Sequence, residues 1–310
     1  MKVLVTGGSG FIGSHVVDRL AERNIKVRIF DMVLPTFRNG LEYYQGSLVN
    51  FEEVRMAMNG IDYVLHLAAV ADVKDVFTDP LYAESINVRG TITVLEAARR
   101  AGVKRVIYGS TTWVYSDVNA PLVDETTPLH APSHLYTATK MVSEYYCKSY
   151  STLYNLPTTI LRYGIPYGPR ARGGAVIPIF VNKALNGEPL TLAGDGSQFR
   201  QFVYVEDLAE GNVLALKEVA KNQIYNLDGN RKVTIKEIAE TVRKILGDVK
   251  IEYVEQRQGD FSGKVVSSEK AKQELGWEPT TPFEDGVRKY VDWYRQQLKE
   301  ESDTPSRMPL

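Results

Sequence analysis

Cysteine is almost missing: Cys147 stands alone in 310 residues, so no disulfide can form within the chain. No His or Asp motif accompanies it to make it a nucleophile, and it reads as a buried structural thiol. Net charge is nearly missing too. The 37 basic and 38 acidic side chains leave −1, which excludes a global field drawing in nucleic acid or an anionic membrane surface; any bound anion must be caught locally. Nothing approaches the run of about 18 apolar residues that a membrane span needs, and there are no repeats or low-complexity tracts. The chain opens on Lys2-Val3-Leu4-Val5 without a secretory leader pattern. The expectation is a soluble, cytoplasmic protein with no nucleic-acid, membrane or metal partner.

What is present is a hydrophobic content of 44%, enough to bury a substantial core as one large domain or two smaller ones. Short β-branched runs at 2–6, 26–31, 63–67, 105–110 and 158–162 alternate with helical stretches at 13–22, 51–58, 80–101 and 135–154. Strand then longer helix, repeated, predicts an α/β fold: a Rossmann-type, doubly wound parallel sheet covered on both faces. After Arg162 the rhythm loosens. Pro166, Pro169, Gly173, Gly174 and Pro178 mark an irregular segment, followed by a helix to Leu185 and a turn at Gly194-Asp195-Gly196. Helices are expected over 205–217 and 234–246, the second opened by Thr234 with Glu237 three residues on. We expect residues 1–164, with a return segment at about 202–227, to form the dinucleotide-binding part. Residues 165–201 and 228–299 form a smaller α/β substrate lobe, and 300–310 a disordered tail.

Thr6-Gly7-Gly8-Ser9-Gly10-Phe11-Ile12-Gly13 falls between the first strand and the first helix, where a dinucleotide pyrophosphate binds. Gly8, Gly10 and Gly13 satisfy G-x-G-x-x-G, and Gly7, Gly10 and Gly13 the related G-x-x-G-x-x-G. Only glycines let the backbone approach phosphates and the helix pack tightly on its strand, and the helix N-terminus adds N–H groups and dipole. Asp31 ends the second strand 18 residues after Gly13, placed to bond the adenosine ribose and to repel a 2′-phosphate, so NAD is favoured over NADP. Tyr136 and Lys140 lie four apart at the start of a helix and share one face. An ammonium beside a phenol favours the phenolate and lowers its pKa toward neutrality, as general-base work requires. Ser110-Thr111 lies just past a strand end, on the sheet edge where ligands of open α/β folds bind.

In order and spacing, the glycine loop, His66-Leu67-Ala68-Ala69, Asn87, the Tyr136/Lys140 pair, Leu161-Arg162-Tyr163 and Gly194-Asp195-Gly196-Ser197-Gln198 resemble the nucleotide-sugar epimerase/dehydratase family of extended short-chain dehydrogenase/reductases. The likeness runs from Met1 to about Arg295. It implies Tyr136 as acid/base on a sugar hydroxyl, Lys140 on the nicotinamide ribose, and Thr111 assisting. Around NAD it implies Gly7, Gly10, Phe11, Ile12, Gly13, Asp31, Ser47, Leu48, Leu67, Ala68, Ala69, Asn87, Ser110, Tyr163 and Ile165. Around the substrate it implies Thr111, Thr112, Trp113, Ala175 and Val176, with Arg200 and Arg257 gripping the diphosphate and Asp260 near the nucleoside ribose. Two guanidinium forks facing a diphosphate are sound physics in their own right.

Members share the oxidation of a sugar carbon and differ in the later steps. The 4,6-dehydratases that resemble this chain carry Asp-Glu after the threonine, because eliminating water needs a second acid and base, and decarboxylating members usually place an acidic residue at the second position; here Thr112-Trp113 stand instead. The expected reaction is therefore 4-epimerisation, most simply of a UDP-sugar, with NAD regenerated and retained. A ketoreductase or dehydratase of the same family is the alternative, and a non-catalytic NAD sensor, which would be expected to lose the Tyr/Lys pair, is a second. Several positions depart from the family pattern. Ser47 replaces an adenine-contacting Asp, Ile165 an Asn that bonds the substrate, and Gln201 the Asp beside Arg200. Lys264, four after Asp260, is a candidate partner for the carboxylate of a uronic acid sugar, unless it points to solvent. The apolar faces of the helices over 80–101 and 135–154, with Tyr145 and Tyr146, predict a homodimer through a four-helix bundle.

Overall fold

The computed structural model describes residues 1–255 and 264–303. Its first part runs β1 (Lys2–Thr6), α1 (Phe11–Glu22), β2 (Lys26–Asp31), β3 (Glu42–Gln45), α2 (Phe51–Ala57), β4 (Tyr63–His66), α3 (Val73–Thr78), α4 (Pro80–Glu84), α5 (Gly90–Ala101) and β5 (Arg105–Thr111). Then come β6 (Leu122–Val123), α6 (Leu135–Tyr154), β7 (Thr158–Tyr163), β8 (Ile165–Tyr167), α7 (Val176–Leu185), β9 (Leu190–Ala193), β10 (Phe199–Tyr204), α8 (Val205–Leu214) and β11 (Ile224–Leu227). The chain closes with β12 (Lys232–Thr234), α9 (Ile235–Leu246), β13 (Ile251–Val254), β14 (Val265–Val266) and α10 (Phe283–Asp303).

Seven parallel strands form one sheet in the order β11-β7-β5-β4-β1-β2-β3. Alternate residues leave each strand on opposite faces, as the pleat requires. Val3, Val5, Leu65, Ile107 and Leu161 join Val16, Val17 and Leu20 of α1 and Leu208 of α8 on one face. Leu4, Val64, Val106, Tyr108 and Ile160 join Val54, Val94, Leu95 and Cys147 on the other. Two-sided burial explains why these strands read as nearly continuous apolar runs. The expected buried role of Cys147 holds: it is fully enclosed, and burial pushes its thiol up. From β1 the chain proceeds outward through β2 and β3 and returns on the other side at β4. This reversal leaves a crevice at the carboxyl ends of β1 and β4, where open α/β sheets bind ligands.

A third core, built on Tyr167, Phe180, Leu192, Ile238, Val287 and Val291, joins the small sheets β12-β10-β8 and β13-β9 to α7, α9 and α10. Thr234 caps α9 by accepting from Glu237 N–H at 3.0 Å, the cap expected from sequence. Three expectations need correction. The helix over 80–101 is not uniform, since Ser85–Arg89 forms a π turn between α4 and α5. The helix over 205–217 stops at Leu214. The tail expected from 300 begins as helix, because α10 continues through Asp303, its stripe of Phe283, Val287, Tyr290 and Val291 docked on the third core. No helix among the described residues is long and apolar enough to cross a membrane, and no group of three or more His, Cys, Asp or Glu among them could hold a metal ion.

Candidate active site

The glycine loop is shaped by contacts that forbid side chains. Gly7 has φ +72°, and a Cβ there would lie 2.7 Å from the Ala68 backbone; a Cβ on Gly13 would lie 2.0 Å from the Gly7 carbonyl oxygen. Helix α1 begins at Phe11 and Ile12 with no side-chain cap and no acid in its first turn, which leaves its N–H groups to an anion. Asp31 ties the loop to the second strand, accepting from Ser9 N–H (3.0 Å) and Val33 N–H (3.1 Å). These features fit a dinucleotide: a cradle with no room for side chains, an uncapped helix start and a carboxylate at the next strand end.

At the end of β4 the tautomer of His66 follows from its neighbours. The Thr91 hydroxyl donates to the Asn87 carbonyl (2.6 Å), so it accepts from His66 Nε2–H (3.0 Å). Nδ1 then accepts from Thr6 Oγ1 (2.7 Å), whose oxygen receives the N–H groups of Leu67 (3.2 Å) and Ala68 (3.3 Å). Burial, with the charge of Lys140 adding to it, lowers His66 to about 3, which keeps this chain of bonds neutral.

Tyr136 and Lys140 occupy the first two turns of α6, opposite Thr111 at the end of β5. Lys140 donates to the Gly109 carbonyl (2.8 Å) and lies 4.9 Å from the centre of the Tyr108 ring. Burial draws its ammonium down to about 8, against the pull of Glu144. Part of Tyr136 reaches solvent, but protein crowds its ring and pushes the phenol up to about 12, against a hydrogen bond with Thr111. The expected lowering of Tyr136 by Lys140 is not seen: burial dominates at the phenol, and the ammonium is engaged by the Gly109 carbonyl.

Several of the expected residues make bonds within the protein around the crevice. Asn87 spends its amide on Val70 N–H (2.8 Å), the Val70 carbonyl (3.0 Å) and Thr139 Oγ1 (3.0 Å), pinning the segment after β4 to α6. Ser110 is buried and donates to Glu144 (2.6 Å), while the Tyr163 hydroxyl meets Asn212 (2.5 Å) within the core. Leu48 turns its side chain into the core against Gly90, and Ser47 gives its N–H to Glu53 (2.8 Å). Asn87, Ser110, Tyr163 and Leu48 thus brace the backbone that borders the crevice. Thr112 is buried, whereas Trp113 is exposed with its ring 5.8 Å from that of His134. Ile165 is half-buried on β8, and Ala175 and Val176 open α7.

Arg200 lies half-buried on β10, its guanidinium donating to the Phe199 carbonyl at 2.7 Å. Arg257 and Asp260 lie outside the described residues. Gln201 is structural: it accepts from Val266 N–H (2.6 Å) and donates to the Gly229 carbonyl (2.5 Å). Lys264 is half-buried rather than pointing freely to solvent. Its ammonium donates to the carbonyls of Tyr115 (2.7 Å), Ser116 (3.4 Å) and Val118, because the turn after β5 presents three acceptors where β14 begins.

Two features escaped sequence reasoning. Glu144, one turn beyond Lys140, forms a fully buried ion pair with Arg162 of β7 (2.7 Å), and Arg162 also donates to the Tyr115 hydroxyl (2.6 Å). Burial alone would lower the Arg162 pKa, but Glu144 holds it above its ordinary value. The spacing Tyr136, Lys140, Glu144, one residue in four, was the available signal. The other is Asp228, just past β11. Its carboxyl occupies the space a Cβ on Gly164 would need, accepts from Gly229 N–H (2.7 Å), and is pushed by burial up to about 8.

A parallel sheet with a glycine cradle at its crevice and a Tyr/Lys/Thr group beside it defines a dinucleotide-dependent enzyme. Residues 3–228 match the NAD dependent epimerase/dehydratase family, and the chain belongs to it; its cofactor is NAD. A putative UDP-glucose 4-epimerase of Methanocaldococcus jannaschii is 33% identical over 304 residues, 94% of this chain and 98% of that one. The UDP-glucose 4-epimerase of Thermotoga maritima, solved with UDP-glucose, superposes with a TM-score of 0.90 at 32% identity, covering 96% of this chain and 100% of that one. A dTDP-glucose 4,6-dehydratase of Streptomyces venezuelae, solved with NAD, is also similar, with a TM-score of 0.87 at 30% identity over 97% of this chain and 98% of that one.

Proposed function

We propose that the chain is a nucleotide-sugar 4-epimerase acting on a UDP-sugar, through transient oxidation at C4, rotation of the keto sugar and reduction on its opposite face. The pair after Thr111 carries this reading. Dehydration would need an acid and a base there beside the tyrosine; buried Thr112 and the Trp113 indole against His134 can act as neither, and epimerisation asks nothing more of those positions. The UDP-glucose bound by the Thermotoga relative supports a UDP-sugar as substrate.

Gly7, Gly10, Gly13 and Asp31 would hold NAD by its pyrophosphate and ribose, and Lys140 by the nicotinamide ribose. When bound, NAD supplies the reversible oxidation, accepting a hydride from the sugar carbon and later returning it, and its oxidised form adds positive charge that favours a phenolate. Tyr136 then takes the hydroxyl proton as the carbonyl forms and gives it back after the sugar has turned, with Thr111 bonding the reacting oxygens. The Glu144–Arg162 pair ties α6 to β7, so Tyr136 and Lys140 meet the sheet edge in one geometry. Residues 1–164 with 202–227 would serve the cofactor, and 165–201 with 228–299, including Arg200, the substrate diphosphate. We also propose a homodimer through the outer faces of the stretch over 80–101, which holds α4 and α5, and of α6.

Incubation with UDP-, dTDP-, GDP- and CDP-sugars without added cofactor, products being resolved chromatographically, should interconvert a UDP-sugar and its 4-epimer. Tyr136→Phe should retain NAD and lose about a thousandfold in turnover. Formation of a 4-keto-6-deoxy sugar would move the assignment to dehydratase, and turnover only with added NADPH to reductase.

A further inference from the structure

Residues 168–175, between β8 and α7, lack regular structure yet join two parts of the fold that flank the crevice. At one end His15 Nε2 donates to the Pro169 carbonyl (2.9 Å), and Arg170 donates to Asp18 Oδ2 (2.8 Å), both partners lying on α1. Arg170 takes φ +65°, a left-handed conformation that a non-glycine residue holds only when its surroundings insist. The other oxygen of Asp18 accepts from Arg38 (3.0 Å), seven residues after Asp31, and the Arg170 guanidinium lies 4.9 Å from the centre of the Phe37 ring. At the far end Arg172 lines a cavity of about 370 Å³ together with Ala69, Val70, Asp79 and Tyr82, at the mouth of β4. Since β1 lies between β2 and β4 in the sheet, a segment held at one end by α1 and the loop after β2, and bordering at the other the pocket beside the end of β4, passes the end of β1, where the glycine loop begins. Beyond it, side chains on Gly173 and Gly174 would meet nothing within 4 Å, which leaves that end loose.

We propose that residues 169–172 are a strap across the cofactor crevice, latched by Asp18 between Arg170 and Arg38, and that this latch sets how long NAD stays bound. An exposed ion pair alone contributes little. Here one carboxylate serves two guanidiniums, one of them also stacked on Phe37 and held by its neighbour's carbonyl, so the contacts couple. Without the carboxylate the two arginines face each other as like charges. The inference rests on NAD lying over the glycine loop and is independent of which sugar is turned over; it gives an epimerase a means of keeping its cofactor through the cycle.

The test is the release of NAD from the holoprotein into excess labelled NAD, for wild type, Asp18→Asn, Arg170→Gln and Arg23→Gln, the last removing an outward pair between the C-terminal end of α1 and Glu210 of α8. Release should quicken about tenfold in the first two variants and stay unchanged in the third, with cofactor-free melting of Arg170→Gln unaltered and turnover restored by added NAD. Equal release rates in all four proteins would overturn the latch, as would equal acceleration in all three variants or a loss of turnover that added NAD does not repair. Should Asp18→Asn fail to fold, Arg170→Gln decides alone, since its side chain leaves a loop. A wild type that binds no NAD would remove the cofactor site beneath the proposal, whereas NAD bound with unchanged release removes the latch only.

Discussion

Asp228 closes an apolar strand with a carboxyl that burial holds protonated at neutral pH, its pKa raised from 3.8 to about 8. Through that window the folded chain keeps a proton that the unfolded chain gives up, so stability falls as pH climbs from 3.8 toward 8. Asp228→Asn keeps the shape and removes the titration. Unfolding free energies from urea titration should coincide for variant and wild type near pH 4 and diverge in favour of the variant by on the order of a few kcal/mol at pH 8; parallel pH dependences would refute the assignment. Tyr136 shows the same physics at the proposed catalytic position. Its identity and its spacing to Lys140 were legible in the chain, but its proton affinity was not, because that depends on packing around the ring and on the Gly109 carbonyl that engages Lys140.

The unit of β1, glycine loop and α1 was legible almost residue by residue, because strand, turn and helix are neighbours along the chain and glycine is demanded locally. The structure sharpens which glycine does what. A Cβ on Gly13 would strike the Gly7 carbonyl oxygen at 2.0 Å, whereas one on Gly10 would sit 3.2 Å from it. Gly13→Ala should therefore cost the cofactor-free fold about 1–3 kcal/mol. Gly10→Ala should cost it less than about 1 kcal/mol and show itself mainly as weaker NAD binding. Urea unfolding and NAD titration of both variants separate the two effects, and equal loss of stability would contradict the geometry. Strand β3 and helix α10 were not read from sequence. The first has no apolar alternation and is only half-buried, and the second carries its apolar stripe among many charges, so tertiary contacts decide both.

At the scale of the whole molecule, the layer formed by α3 to α6 leaves large apolar side chains uncovered: Phe77 is 79% exposed, Leu81 81%, Tyr145 55% and Leu153 70%. We read these exposed side chains as part of the interface of the proposed homodimer. Sedimentation at micromolar concentration should give a dimer, and Tyr145→Glu combined with Leu153→Glu should give a folded monomer; a wild-type monomer would contradict the homodimer.

The sequence by itself determined the parallel α/β plan, the glycine turn between β1 and α1, the place of Asp31 at the end of β2, the α9 cap and the Tyr136/Lys140 face, because each follows from periodicity or spacing within one or two turns of chain. Only the tertiary structure decided that Glu144 pairs with Arg162, that Asp228 fills the space beside Gly164, that Lys264 turns onto the carbonyls after β5, and that Asp18 joins Arg38 to Arg170. Those contacts bring together residues from separate elements in an environment whose dielectric is set by everything packed around them, and neither partner nor burial is written in local spacing.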